Sequence, residues 1–248
     1  MRYFVVFSYF GKHYHGWQNQ PNAITVQEVL EKTFSTLLRM PIALVGAGRT
    51  DAGVHAKEMC AHFDVEQPLE NLESIVYKAN AFLPEDISVA TLFEVGKDAH
   101  ARFDAVGRTY EYWVTQEKNP FYTEVAYYVK HPLNLDHMNA AANILLEYKD
   151  FECFSKTHTD VKTFLCDVRQ AVWEQKEDRL VFTITADRFL RNMVRAIVGT
   201  LLAIGCGKLS VAEMHTIIKS KDRGQAGASV PAKGLYLTKI KYPNTIVE

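Results

Sequence analysis

Alternating strand and helix patterns in the first hundred residues constrain the fold of this chain more than any other feature. Residues 2–9 have the pattern of a β-strand, and residues 25–28 form a capping box that begins a helix. Two further strands are predicted near residues 59–65 and 87–95, with a helix between them near residues 72–82. This order of strand, helix, strand, helix and strand is typical of a ferredoxin-like unit.

The second half of the chain repeats this order less clearly, and no Pro- or Ser-rich linker separates the two halves. We therefore predict an α+β fold in which two ferredoxin-like halves, residues 1–104 and 105–248, share one extended mixed or antiparallel sheet. A central cleft between two such halves is the default place for a ligand. The elements predicted in the second half are strands at 108–115, 168–173, 180–186 and 235–240, and helices at 135–146, at 189–204 and from Ser210.

The run at residues 48–56, Gly-Arg-Thr-Asp-Ala-Gly-Val-His-Ala, is the segment that most suggests chemistry. It places Asp51 two residues after Arg49, between Gly48 and Gly53, and glycine permits backbone shapes or close approaches that other residues resist. An aspartate is ionised at neutral pH, and a nearby guanidinium favours the charged form. The run predicts a rigid loop that presents an anionic nucleophile or base, although aspartate in a glycine-rich turn is also an ordinary turn former.

Charge and cysteine content bound the possible partners. The formal net charge of −1 lacks the basic excess that usually marks a nucleic-acid-binding protein, so any RNA-binding charge must be segregated, as in Arg188, Arg191 and Arg195. The four cysteines are widely spaced without a C-x-x-C pair, which favours a reducing cytoplasm over a zinc site or a disulfide framework. No apolar run approaches membrane-spanning length.

Motifs of the common cofactor-dependent and metal-dependent enzymes are missing from the sequence. Residues 46–48 begin like a dinucleotide fingerprint, but Asp51 stands where its third glycine belongs. There is no Walker loop, no H-E-x-x-H and no nucleophile elbow. His55 and His62 are seven residues apart, which places them on opposite faces of a strand. We therefore predict neither a metal site nor a cofactor.

Five segments that together span nearly the whole chain carry distinctive motifs. They are Y-H-G-W-Q-N-Q at 14–20, the run at 48–56, H-A-R-F at 100–103 with R-T-Y-E-Y at 108–112, F-L-R-N-M-V-R-A-I-V-G at 189–199, and A-S-V-P-A-K-G-L-Y-L at 228–237. In this order they resemble the tRNA pseudouridine synthase family, and the resemblance implies the pseudouridine synthase fold. The match is weak between residues 116 and 186, so no role is assigned there.

The resemblance implies an enzyme that isomerises uridine to pseudouridine in the anticodon arm of tRNA, at uridines 38 to 40. It makes Asp51 the catalytic carboxylate and Arg195 its ion-pair partner, and it makes Tyr110 the aromatic ring that stacks on the target base. We expect Arg49 to fill the space that the extruded base vacates and Leu235 to complete an apolar wall around it. The family likeness also implies a cytoplasmic homodimer in which one tRNA touches both protomers.

Several interpretations remain open. Asp51 can add to the base, attack the sugar or act as a general base. The chain can also be a pseudouridine synthase for another RNA, or a non-catalytic RNA-binding protein built on a ferredoxin-like sheet, although the latter leaves the Asp51 loop unexplained. A cofactor-free hydrolase or lyase using Asp51 with His55 is disfavoured, because a four-residue offset pairs them only on a helix and Gly53 lies between them.

Overall fold

The computed structural model describes residues 1–157 and 161–246, and the chain forms two compact units. The first unit contains Met1–Val106 and Tyr236–Glu248, and the second contains Gly107–Leu235. The sequence analysis placed the boundary after residue 104 and assigned the C-terminal strand to the second half. In the structure, that strand from Tyr236 onward belongs to the first unit, because it pairs with a strand there.

Helices and strands follow the predicted order along the chain. The helices are α1 (Val26–Leu38), α2 (Leu72–Phe82), α3 (Leu135–Ile144), α4 (Met193–Gly205) and α5 (Glu213–Ser220). The strands are β1 (Arg2–Tyr9), β2 (Val45–Gly46), β3 (His55–Asp64), β4 (Ile87–Val95), β5 (Gly107–Thr115), β6 (Tyr127–Tyr128), β7 (Val168–Lys176), β8 (Arg179–Ala186) and β9 (Leu235–Lys241).

The first unit is built on a mixed sheet. β1 lies between β4 and β3 and is antiparallel to both, β2 is antiparallel to β3, and β9 runs parallel to β3. The predicted capping box begins α1, since the Thr25 hydroxyl accepts a hydrogen bond from the Glu28 N–H at 3.3 Å. α1 buries Val26, Leu30 and Phe34, as its apolar spacing predicts.

In the second unit, β8 lies antiparallel between β5 and β7, and β6 runs parallel to β5. α4 begins at Met193 rather than at the predicted Phe189, because Asn192 has a φ of 67° and a left-handed residue cannot lie inside a right-handed helix. α5 begins at Glu213. Only the glutamate half of the predicted box is observed: the Ser210 N–H and hydroxyl both donate to the Glu213 carboxylate, and the N-cap of α5 is Ala212, without a side-chain cap.

The four cysteines are free, and Cys60, Cys153 and Cys166 are buried. Burial raises the pKa of each of these three thiols to about 12, so they stay protonated at neutral pH. Within residues 1–157 and 161–246, no group of three or more His, Cys, Asp or Glu side chains is arranged to hold a metal ion. Over the same described residues, no helix combines the length and apolarity needed to cross a bilayer.

A buried histidine on β3 holds the turn that follows β4. His62 is only 4% exposed, and its Nδ1 accepts a hydrogen bond from the Ala101 N–H at 3.1 Å. Burial, together with the positive charge of Arg2, lowers the pKa of His62 to about 4. A neutral imidazole is required at this position, because a protonated Nδ1 cannot accept the hydrogen bond.

Replacement of His62 by Asn should therefore weaken the acid sensitivity of folding. The unfolded chain binds a proton near pH 6.5 and the folded chain near pH 4, so the wild-type free energy of unfolding falls as the pH drops through that window. Asparagine keeps an acceptor but does not titrate. Urea unfolding of both proteins between pH 8 and pH 4 tests this, and an equal decline in the two proteins would contradict it.

Candidate active site

The predicted loop lies between β2 and β3, and one buried side chain fixes its centre. Thr50 is buried, and its hydroxyl lies 2.8 Å from the hydroxyl of Tyr9 on β1. On either side of Thr50, Arg49 is exposed and Asp51 is half-buried. The threonine therefore anchors the loop to the sheet while the two charged side chains remain accessible to solvent.

Backbone contacts hold the same loop at two further points. The Trp17 N–H donates to the Thr50 carbonyl, and the Gly53 N–H donates to the Tyr14 carbonyl, each at 3.3 Å. Gly53 has a φ of 77°, a conformation that favours glycine because it lacks a Cβ. These contacts restrain the backbone on both sides of Asp51.

Gly16 brings its own backbone into direct contact with the loop. Its φ is 88°, and a Cβ built on it would lie 2.3 Å from the Thr50 carbonyl oxygen and 3.2 Å from the Asp51 carbonyl carbon. No side chain fits at that separation. The segment at residues 14–20, which the sequence analysis noted only as a resemblance, therefore supports the back of the Asp51 loop.

Trp17 is a core residue that extends this support. It is buried, its ring stacks on Phe7 at 5.2 Å, and it covers Gly46, where a Cβ would lie 2.5 Å from the indole. Gly48 is different. It has no left-handed φ, and an added Cβ there would meet no atom within 4 Å. The space beside Gly48 is open, so its lack of a side chain is not needed for the packing of the loop.

His55 is a buried residue with a structural role and is not open to solvent. It is 1% exposed, with its ring stacked between Phe10 at 4.3 Å and Tyr236 at 4.7 Å. Its Nδ1 accepts a hydrogen bond from the Gly11 N–H at 2.9 Å. A buried ring sandwiched in this way is poorly suited to act as a general base with Asp51, which weakens the hydrolase interpretation further.

The second unit contains the other three predicted site residues, of which Tyr110 lies on β5. Its ring is half-buried and meets Phe189 edge-to-face, with the ring centroids 5.2 Å apart and the planes at 88°. Tyr112, two residues later, is fully buried, and its hydroxyl donates to the Pro231 carbonyl at 2.8 Å. Burial raises the pKa of Tyr112 well above its ordinary value. Of the two tyrosines, only Tyr110 exposes part of its ring.

Arg195 is held in place by a reciprocal contact with the closing segment at residues 228–231. Its Nε donates to the Val230 carbonyl at 2.7 Å, and the Val230 N–H donates to the Arg195 carbonyl at 3.2 Å. The side chain is half-buried rather than extended into solvent. Leu235, at the start of β9, is 6% exposed.

α4 and the closing segment are packed backbone to backbone. A Cβ on Gly199 would lie 1.9 Å from the Ala228 carbonyl oxygen, and the Gly227 N–H donates to the Thr200 hydroxyl at 2.8 Å. The fourth and fifth resembling segments therefore form one assembly around Arg195. Their spacing in the sequence does not reveal this contact, because about thirty residues separate them.

The sequence analysis assigned no role to two residues that support the site. Phe189 supports the ring of Tyr110, and Tyr9 supports Thr50. Phe189 is the first residue of the M-V-R segment, so its position in that motif is a signal that was present in the sequence. Tyr9 is one of several aromatic residues on β1, and nothing in the sequence distinguishes it.

Comparison with known proteins decides the family. The family model described as tRNA pseudouridine synthase matches residues 5–104 and 141–243. The chain belongs to the tRNA pseudouridine synthase family. It is 52% identical to the tRNA pseudouridine synthase A of Bacteroides fragilis over 100% of this chain and 98% of that protein. The corresponding protein of Parabacteroides distasonis is 51% identical over 99% and 97% of the two chains. That of Thermoanaerobacter sp. is 39% identical over 96% and 98%.

Family membership confirms the predicted α+β pseudouridine synthase fold. The family model covers the Asp51 loop, Arg195 and Leu235, whereas Tyr110 lies in the gap between its two matched segments. The relatives nevertheless align across almost the entire length of the chain, including that gap. The roles of individual residues are not part of these matches and stay predictions.

Replacement of Gly16 by Ala should displace the Asp51 loop. The new Cβ would collide with the Thr50 carbonyl and would also strain a left-handed backbone, so we expect a loss of about 2 kcal/mol or more in unfolding free energy, together with reduced kcat. Gly48→Ala is the matched control, because its Cβ meets nothing and its free energy of unfolding should change by less than about 1 kcal/mol. Equal stabilities for the two variants would contradict this account.

Proposed function

We propose that this protein isomerises uridines in the anticodon arm of tRNA, with Asp51 as the catalytic carboxylate. As a member of the tRNA pseudouridine synthase family, it converts uridine to pseudouridine in tRNA. The finer assignment to uridines 38 to 40 rests on the resemblance of its five segments. The observation that best supports Asp51 is the anchored loop, in which a buried Thr50 leaves the neighbouring carboxylate accessible.

The reaction is balanced without any external reagent. The bond between the ribose C1′ and the uracil N1 breaks, and a bond between C1′ and C5 forms. C5 loses a proton and N1 gains one, so the product has the composition of the substrate. The protein must therefore supply a group that reacts with the base or the sugar, a place for the detached base to turn, and groups that move a proton.

Asp51 suits the first requirement. A rigid loop positions the carboxylate without a conformational search, which reduces the entropic cost of reaching the reacting atom. The two hydrogen bonds and the Gly16 contact restrain the backbone, while the side chain is half-buried rather than sealed. A nucleophilic role and a general-base role are both compatible with this position.

The remaining predicted residues complete the proposal. Tyr110 stacks on the extruded uracil and handles its proton, and its partly exposed ring beside Phe189 is consistent with that role. Arg49, which is exposed next to Asp51, fills the gap in the RNA stack. Leu235, which is 6% exposed at the start of β9, is proposed from the family resemblance to complete the apolar wall around the base.

Arg195 is proposed as the ion-pair partner that keeps Asp51 ionised and oriented. The support is its fixed orientation, since the hydrogen bond from its Nε to the Val230 carbonyl sets the direction in which the guanidinium points. Guanidinium groups bind carboxylates through two parallel hydrogen bonds, which fixes direction as well as charge.

The proposal extends to assembly and location. We propose a homodimer in which one tRNA contacts both protomers, because the family resemblance implies it. A tRNA substrate and the spaced, free cysteines both fit a cytoplasmic enzyme. Size-exclusion chromatography with light scattering, with and without tRNA, tests the assembly.

Two alternatives are distinguished by one experiment. A non-catalytic RNA-binding protein would bind tRNA without changing it, and a synthase for another RNA would leave the anticodon arm unmodified. Incubation with unmodified tRNA, followed by site-resolved chemical mapping of pseudouridine, separates these cases. If pseudouridine forms only outside the anticodon arm, the assignment of the modified uridines is wrong but the family assignment stands.

Asp51→Asn should abolish turnover. The amide cannot act as a nucleophile or a base, so kcat should fall on the order of 10⁴-fold or more, while tRNA affinity changes little. Pseudouridine formation and filter binding at one salt concentration measure the two effects. Asp136→Asn, at an exposed aspartate in the first turn of α3, is the matched control and should keep wild-type turnover. Retained turnover in Asp51→Asn would remove Asp51 from the mechanism.

Tyr110→Phe and Tyr112→Phe should separate catalysis from stability. Loss of the Tyr110 hydroxyl should lower kcat on the order of 10²-fold or more. Loss of the Tyr112 hydroxyl leaves the Pro231 carbonyl without its donor, so it should cost about 1–3 kcal/mol of unfolding free energy with little change in kcat. The reverse pattern would show that Tyr112 is the reactive tyrosine.

A further inference from the structure

We propose that Phe103 is a stacking platform for an unpaired base of the bound tRNA, separate from the Asp51 loop. The identity of the partner rests on the proposed function; the platform itself rests on the geometry of the first unit. Phe103 is 72% exposed, in the short turn at residues 100–104 that follows β4. No role was assigned to its side chain in the sequence analysis.

A ladder of aromatic rings connects Phe103 with the core of the first unit. Phe4 on β1 is fully buried and stacks on His62 with centroids 6.1 Å apart. His62 meets His100 edge-to-face at 4.6 Å, and His100 packs on Phe103 at 4.2 Å. Phe103 is the last ring of this series and the one exposed to solvent, so a planar base that stacks on it would extend the series of rings.

Hydrogen bonds hold the turn that carries the last ring. The Ala101 N–H donates to His62 Nδ1 at 3.1 Å, and the N–H groups of Arg102 and Phe103 donate to His100 Nδ1 at 3.1 and 3.3 Å. The Ala101 carbonyl accepts from the Tyr242 hydroxyl at 2.6 Å. Phe103 is therefore presented on a restrained backbone, and little entropy is lost when a ligand stacks on it.

A cation lies at the ring. The guanidinium of Arg102 lies over the Phe103 ring, 5.8 Å from its centre, where it can pair with a phosphate. The acidic residue of the turn, Asp104, accepts a hydrogen bond from the His100 N–H at 2.7 Å, which directs one of its carboxylate oxygens back into the turn. An aromatic ring next to a cation is the usual arrangement for stacking an unpaired base next to a phosphate.

A protein partner fits this surface less well. A stable protein interface buries about 800 Å² on each side and has an apolar centre built from several side chains. Of the large hydrophobic residues within this turn, only Phe103 is strongly exposed, and it is flanked by Arg102 and Asp104. One ring among charged neighbours offers enough area for one base but not for such an interface.

Substitution of Phe103 tests the proposal through tRNA affinity. Phe103→Ala should raise the Kd for an unmodified tRNA transcript roughly 5- to 150-fold, the range that one base stacked on an aromatic side chain contributes. The value of kcat/KM for pseudouridine formation should fall by the same factor. Phe103→Trp should bind tRNA as tightly as the wild type, because it retains a planar ring.

Two further variants separate stacking from general apolar contact. Phe103→Leu keeps apolar area but has no ring, so it should bind as weakly as Phe103→Ala. Tyr77→Ala, at a 77% exposed aromatic on α2 that takes no part in the ladder, should leave Kd unchanged. Wild-type affinity in Phe103→Leu, or an equal loss in Tyr77→Ala, would overturn the proposal. Circular dichroism and melting temperature confirm that each variant is folded.

Modified RNA locates the base and decides between partners. A series of transcripts is made in which one unpaired nucleotide at a time is abasic. For one of these transcripts, the loss of affinity should not add to the loss caused by Phe103→Ala. Losses that are additive at every tested position would overturn the proposal. It would also be overturned if Phe103→Ala no longer formed a dimer while its monomer kept the wild-type affinity for tRNA. If the wild-type protein binds tRNA but forms no pseudouridine, the proposed function is refuted but the stacking platform is not, since the platform is tested by the comparison of tRNA affinities.

Discussion

The close approach of Gly16 to the Asp51 loop is the contact on which the candidate site depends. The backbone of one segment lies against the backbone of the other, with space for a hydrogen atom but not for a methyl group. Hydrogen bonds on either side, from Trp17 to Thr50 and from Gly53 to Tyr14, then fix the loop in register. Because interiors are packed densely and yield little, a loop held this way keeps its backbone at Asp51 in one position.

A similar principle operates in the second unit. Gly199 on α4 allows the closing segment to approach so closely that Arg195 and Val230 exchange hydrogen bonds. Helices and strands alone would leave a long arginine free to adopt many rotamers. The reciprocal contact selects among them, which is what a residue proposed to orient a carboxylate requires. In both units, glycines that look unremarkable in the sequence determine where charged groups lie.

Sequence patterns predict local structure in this chain much better than they predict the tertiary contacts that hold the candidate site in place. The capping box at Thr25 and the strands of the first unit follow from spacing and side-chain type, because these depend on neighbours in the chain. The pairing of β9 with β3 does not, since strand partners far apart in sequence leave no periodic signal. The same holds for Phe189 beside Tyr110, a contact that only tertiary structure creates. The start of α4 differs from the prediction because one residue, Asn192, adopts a backbone conformation that no apolar pattern reveals.

The return of β9 to the first unit has a consequence for biosynthesis. β3 pairs with β9 through His55 with Tyr236 and Ala56 with Leu237, and about 180 residues separate these partners in the chain. At a translation rate of roughly 5–20 residues per second, this edge of β3 waits on the order of 10–40 s for its neighbour after leaving the ribosome. During that interval His55 and Ala56 lack this strand partner, and exposed strand edges are prone to associate with other chains. The first unit is therefore completed only after the whole second unit has been synthesised.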